Sequence, residues 1–179
     1  MGRQVQHLHL FAEGALVCEL HDFLPSLIIC AGDFTRAVDS LYLVFNQDFK
    51  LNAAFHFGIR VIFNREIKAD GQGKEEFFWK IISRDDYKAG ERLIDFRRAE
   101  RLPWAKPLMQ SGPRPEILVW DYQEGSAGKR VRTYIWVKDH DYVVVLERKA
   151  RVYFWVTAFF VPSDGKREDL TGRYKKRLT

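Results

Sequence analysis

The residues of this chain best suited to chemistry form one run, Asp95-Phe96-Arg97-Arg98-Ala99-Glu100-Arg101-Leu102-Pro103-Trp104. On a helix, Arg97 and Arg101 are four residues apart and share a face, as do Arg98 and Leu102. An arginine keeps its proton at neutral pH and presents a fork of donors that fits phosphate oxygens. Glu100 stands beside Arg101 and is placed to orient its guanidinium. The competing reading is a solvated helix face with ordinary ion pairs. A second basic cluster fills the tail, where Lys166, Arg167, Arg173, Lys175, Lys176 and Arg177 surround Tyr174. Its plain alternative is a frayed terminus with no specific role.

Aromatic residues accompany these cations. Trp104, Trp120, Trp136, Trp155, Tyr134, Tyr142 and Tyr153 all fall in the second half of the chain. Most belong in a core, and one or two exposed among cations would stack unpaired bases. The histidines point elsewhere. His7, His9, His21 and Cys18 match no closed zinc spacing, and no CxxC occurs. His56 and His140 stand alone, and Asp85-Asp86 reads as a solvated loop pair. P-loop, GxGxxG and GxSxG motifs do not occur. The expectation is therefore a site without metal or cofactor.

Charge divides along the chain. Residues 1–70 carry 6 Lys and Arg against 8 Asp and Glu, a net −2, while residues 71–179 carry 23 against 16, a net +7. A basic second half suits a polyanion partner. The composition, 46% hydrophobic and 15% aromatic, belongs to a chain that buries a core. Cys18 and Cys30 sit among apolar residues and suggest no disulfide framework, which fits a reducing cytoplasm. The start reads as lacking a signal peptide, and the apolar runs are of strand length, so no membrane partner is expected.

The elements that must position these groups are legible in outline. Asp33 reads as the cap of a helix running to about Asp48, with Ala37, Leu41, Val44 and Phe45 on one face. Residues 57–67 and 76–82 read as a hairpin around Asp70-Gly71-Gln72-Gly73, although the second run would also suit a buried helix. A polar loop over 83–92 follows. Asp95 then caps a helix over 96–102 that Pro103 limits, leading to a stiff connector or second short helix. Four strand-like runs, 116–122, 131–138, 142–147 and 151–161, are joined by connections short enough to force antiparallel pairing. The tail after Pro162 reads as one basic helix. The predicted fold is α+β: N-terminal helices and a hairpin, then a four-stranded antiparallel meander and a basic C-terminal helix. Residues 1–55 read as a helical extension of a domain spanning 56–179, the whole forming one compact unit.

Taken in order, Phe77-Phe78-Trp79-Lys80-Ile81-Ile82-Ser83, Arg97 to Trp104, Tyr142-Val143-Val144-Val145-Leu146, Val156-Thr157-Ala158-Phe159-Phe160-Val161 and the basic tail form a pattern. It resembles the phage-type members of the barnase–EndoU–colicin–RelE-like (BECR) nuclease superfamily over about residues 59–178. The resemblance implies helices followed by a four-stranded antiparallel sheet. It also implies a prophage or toxin ribonuclease that cuts RNA without metal, with an antitoxin or immunity protein as a further partner. Attack by the substrate 2′-OH would give a cyclic phosphate. On this reading Arg98 and Arg101 hold phosphate, Lys80 shuttles a proton or serves as a cation, and Thr157 contributes a hydroxyl. A His is expected near Trp79-Lys80, where this chain has Lys80. A lysine shuttles protons near pH 7 only when burial lowers its pKa. Trp104 is expected to stack a base, and Arg84, Arg97, Lys106, Lys166, Arg167, Arg173 and Lys175 to contact RNA. The alternative is a nuclease-like fold that binds RNA or a protein partner without cutting.

Overall fold

Alternation of apolar and polar residues from Ile117 to Phe160 builds four consecutive strands: β5 (Ile117–Glu124), β6 (Arg130–Val137), β7 (Tyr142–Arg148) and β8 (Tyr153–Phe160). Each pairs antiparallel with the next. The computed structural model describes residues 22–30, 32–69, 71–86, 91–125 and 130–178. The sheet is larger than the expected four strands. A hairpin of β1 (Ala54–His56) and β2 (Ile59–Ile62) joins it, β2 running parallel to β8, and the six-strand order is β1-β2-β8-β7-β6-β5. The hairpin turns on Phe57 and Gly58, both at positive φ, 47° and 76°. Two such residues match the twist of a tight hairpin, at a steric cost for the phenylalanine.

Helix α1 (Phe34–Phe45) starts where the Asp33 carboxylate accepts the Arg36 N–H at 2.9 Å. It buries Ala37, Val38, Leu41 and Phe45, then runs into a π-helical turn over Asn46–Leu51. The run after the glycine turn is not a strand. Glu76–Ile82 forms helix α2, which buries Phe77, Phe78, Ile81 and Ile82 and leaves Lys80 exposed. Two pairs four residues apart lie on one helical face, whereas alternate burial would have separated Phe77 from Phe78. The expected hairpin partner for residues 57–67 is thereby lost, and β2 finds β8 instead. The expected polar loop is also structured: β3 (Ser83–Asp86) and β4 (Glu91–Ile94) form a separate two-stranded sheet.

The Asp95 helix is shorter than expected. α3 (Phe96–Ala99) gives way to a 3₁₀ turn at Leu102–Trp104 and then to α4 (Ala105–Gln110). Pro103 sits at the start of that turn, where a missing N–H costs nothing. After β8, Ser163 caps α5 (Asp164–Lys175), the expected basic helix.

The sheet packs on both faces. On the inner face Phe45, Phe49, Phe77 and Phe78 of the helical side meet Tyr142, Leu146 and Trp155, together with Leu102, Trp104 and Leu108. Leu24, Val38 and Phe49 share this core with Ile135 and Val144, and the boundary read between residues 55 and 56 falls inside β1. On the outer face Trp120, Tyr134, Trp136, Val143 and Val145 lie under α5, which buries only Leu170 among its own residues. Among the described residues no helix is long and apolar enough to cross a membrane.

Candidate nucleic-acid interface

The Asp95 cap places the arginines. Its carboxylate accepts the Arg98 N–H at 3.2 Å, and its own N–H donates to the Ile82 carbonyl at 3.0 Å. α3 is thereby tied to the end of α2. Arg98 strengthens the tie, because its Nη1 donates to the carbonyls of Ser83 (2.5 Å) and Lys80 (3.2 Å). Between this unit and the end of β8 lies a cleft of about 500 Å³. Arg84, Arg97 and Arg98 line one side of it with Asp95, Phe96 and Ile94; Phe159, Phe160 and Pro162 close the other. Three arginines against one aspartate leave the lining cationic.

Arg97 is exposed, and its guanidinium lies 5.2 Å from the centre of the Phe160 ring. Arg101 is placed differently. Its guanidinium sits 4.9 Å from the Phe160 ring centre and 5.1 Å from that of Trp104, and Nη1 donates to the Arg97 carbonyl at 2.8 Å. Burial pushes the Arg101 pKa down from the ordinary arginine range, and Glu100 opposes that shift. Held by two rings and a carbonyl, Arg101 is a pillar under α3, and it supports the cleft wall through Phe160.

The other expected site residues scatter. Trp104 is 1% exposed and donates its indole N–H to the Pro25 carbonyl at 2.7 Å. Its ring is core and is not offered to a base, because Leu102-Pro103-Trp104 turns inward at the 3₁₀ step. Lys80 is exposed on α2 and reaches Arg98 through its carbonyl, so the burial a proton-shuttling lysine requires is not supplied. Thr157 lies opposite Val145, on the sheet face that α5 covers, and its hydroxyl is 3.4 Å from the Ala158 carbonyl. Neither Lys80 nor Thr157 lines the cleft.

The remaining cations mostly serve the fold. Lys106 faces Asp48 at 3.9 Å. Arg167 pairs with Asp141 at 2.6 Å, and Arg173 with Glu124 (2.9 Å) and Asp169 (3.2 Å) while also reaching the Tyr134 hydroxyl. The contacts of Arg167 with Asp141 and of Arg173 with Glu124 and Tyr134 fasten a polar helix onto an aromatic sheet face. Lys166 pairs with Asp169 at 2.8 Å and stands 5.7 Å from the Phe159 ring centre, at the margin of the cleft. Lys175 is exposed at the end of α5.

The cleft also contains residues that sequence reasoning missed. Phe96 is 49% exposed and lines it. Its position directly after a capping aspartate and before two arginines was the available signal. Phe159 and Phe160 enter the sequence reading within the 151–161 strand and the BECR-like pattern, not as site residues. Among the described residues no group of three or more His, Cys, Asp or Glu side chains could hold a metal. The candidate set His7, His9, Cys18 and His21 lies outside the described residues. No protein-family profile, no curated protein and no solved structure matches this chain.

Proposed function

We propose that this protein binds RNA in the cleft between α3 and the end of β8, with Arg84, Arg97 and Arg98 on the phosphates and Phe96 against a base. The observation that carries the reading is that three arginines and an exposed phenylalanine line one concave surface. Arginines that track a backbone beside an aromatic ring are the usual means of holding an unpaired strand. RNA as the class of polymer comes from the BECR resemblance, which also supplies the second reading, an endoribonuclease.

Binding without cleavage ranks first for a chemical reason. Attack by a 2′-OH needs one group to take its proton and another to protonate the leaving 5′-oxygen. Arginine stays charged and does neither. Asp95 is the single acid–base side chain among the described residues lining the cleft, and one of its oxygens already accepts the Arg98 N–H. Asp95 favours the endoribonuclease reading to that extent, as the base for the 2′-OH.

Both readings are tested with a single-stranded RNA. Affinity should fall steeply with salt as bound phosphates release counterions, with a slope of log K against log salt near −0.7 per phosphate contacted. A flat slope removes both readings. Incubation in chelator then separates them: products ending in a cyclic phosphate, abolished by Asp95→Asn in a folded protein, would put the ribonuclease first.

A further inference from the structure

As the cap of α3, Asp95 uses one carboxylate oxygen. Its Oδ1 accepts the Arg98 N–H at 3.2 Å. Among the described residues its Oδ2 has no partner, and that oxygen is open to solvent. Capping does not require the charge, since asparagine caps a helix as well as aspartate does. Asp95 lines the cleft beside Phe96, the residue that follows it, and Phe96 is 49% exposed. Arg84 and Arg97 line the same wall, and among the described residues no carboxylate pairs with either. Their charges are left for phosphates and make no claim on the aspartate. The cleft thus offers one unengaged hydrogen-bond acceptor next to one exposed ring.

We infer that Asp95 selects the base: Oδ2 accepts a hydrogen from the exocyclic amine of a base lying on the Phe96 ring, so the cleft takes cytosine or another amine-bearing base and rejects uracil. The inference rests on the RNA-binding reading of the same cleft and defines which unpaired bases it admits. A carboxylate can only accept. Cytosine carries its amine at N4, adenine at N6 and guanine at N2, whereas uracil has the carbonyl oxygen O4 where cytosine has its amine. An amine against Oδ2 forms a charge-assisted hydrogen bond. A carbonyl oxygen in that place faces a negative oxygen, and both lose their water without gaining a partner. Turning the uracil does not help, because its one ring donor, N3–H, lies between two carbonyl oxygens. A carboxylate engaged with a base amine is not free to take a 2′-OH proton, so base selection and the endoribonuclease role of Asp95 exclude each other on one nucleotide.

The test compares oligocytidylate, oligouridylate and an oligomer of the same length built from N4,N4-dimethylcytidine, all at neutral pH. Backbone charge is the same in all three, and methylation removes the amine hydrogens while leaving the ring. Oligocytidylate should bind about tenfold more tightly than either of the others, the effect of one hydrogen bond to a charged group. Asp95→Asn keeps the cap, so the melting temperature should hold; it replaces a pure acceptor with an amide that also donates, so the preference for cytidine over uridine should vanish. The oligomer comparison in the unaltered protein stands whether or not that variant folds. Equal affinity for oligocytidylate and oligouridylate, with a salt slope intact for both, would overturn base selection and leave phosphate binding standing. No salt-dependent binding by any oligomer would remove both proposals. A tenfold preference that survives Asp95→Asn at an unchanged melting temperature would also overturn the inference, because another group would then read the base. Loss of cyclic-phosphate products in that variant, with its base preference intact, would overturn it too and assign Asp95 to the 2′-OH.

Discussion

Arg101→Ala should unfold the protein more easily and leave RNA affinity per folded molecule almost unchanged, whereas Arg97→Ala should do the reverse. The difference follows from two neighbouring placements on one short helix. The Arg101 guanidinium lies 4.9 Å and 5.1 Å from the ring centres of Phe160 and Trp104 and donates to the Arg97 carbonyl. Each ring contact is worth about 0.5–1 kcal/mol at a partly exposed site, and the hydrogen bond about 1 kcal/mol net. Losing all three costs about 2–3 kcal/mol, which in a chain of this size lowers the melting temperature by about 4–12 °C. Arg97 is exposed and touches only one of those rings, so its removal should cost about 0.5–1 kcal/mol. It faces the cleft, and its loss should reduce the salt slope of RNA binding by about 0.7. Thermal melts and anisotropy titrations at several salt concentrations read both quantities. A double-mutant cycle of Arg101→Ala with Phe160→Leu should show coupling of about 0.5–1 kcal/mol. An Arg101→Ala protein with unchanged melting temperature and lost RNA affinity would refute the pillar assignment and return Arg101 to the phosphate.

His56 is fully buried, with Nδ1 2.8 Å from the Met109 carbonyl, and burial lowers its pKa below the ordinary 6.5. The unfolded chain then binds the proton more readily than the folded one. Stability should hold above about pH 6.5 and fall as pH drops below it, by up to about 1.4 kcal/mol per pH unit for one proton. Denaturant melts at a series of pH values read this slope, and a His56→Gln protein with the same slope would show that the histidine is not its source. Leu170 is the fully buried anchor of α5. Leu170→Ala should cost about 2–5 kcal/mol and expose Trp120 and Trp136, read as a red shift in tryptophan emission; unchanged stability and emission would mean that the ion pairs alone hold the helix. Trp104→Phe should lower stability through the lost bond to Pro25 and leave RNA affinity as it was, since the indole is core; a loss of affinity in folded protein would reopen Trp104 as a base-stacking residue.

Local chemistry along the chain determined a good part of the fold. Asp33, Asp95 and the serine after Pro162 mark three helix starts, because capping is settled within three residues of the cap. Alternation and short connections specify β5 to β8 as successive antiparallel neighbours, because pairing across a tight connection is itself nearly local. The run Phe77–Ile82 reads in the sequence as the second strand of a hairpin, and wrongly so, since an apolar stretch of that length suits a buried helix as well as a buried strand. Only the core settled it, by accepting Phe77, Phe78, Ile81 and Ile82 on one side of a helix. The two strands beyond the meander, β1 and β2, depend on a parallel contact between Val61 and Tyr153, far apart in sequence and marked by no turn signal. The candidate site was legible as an arginine run but not as a place. Tertiary structure alone brought Arg84, Arg97 and Arg98 against Phe159 and Phe160, turned Trp104 inward and set Thr157 on the other sheet face. Side-chain direction in a short broken helix depends on where the 3₁₀ turn falls, and that is decided by what the neighbouring core will bury.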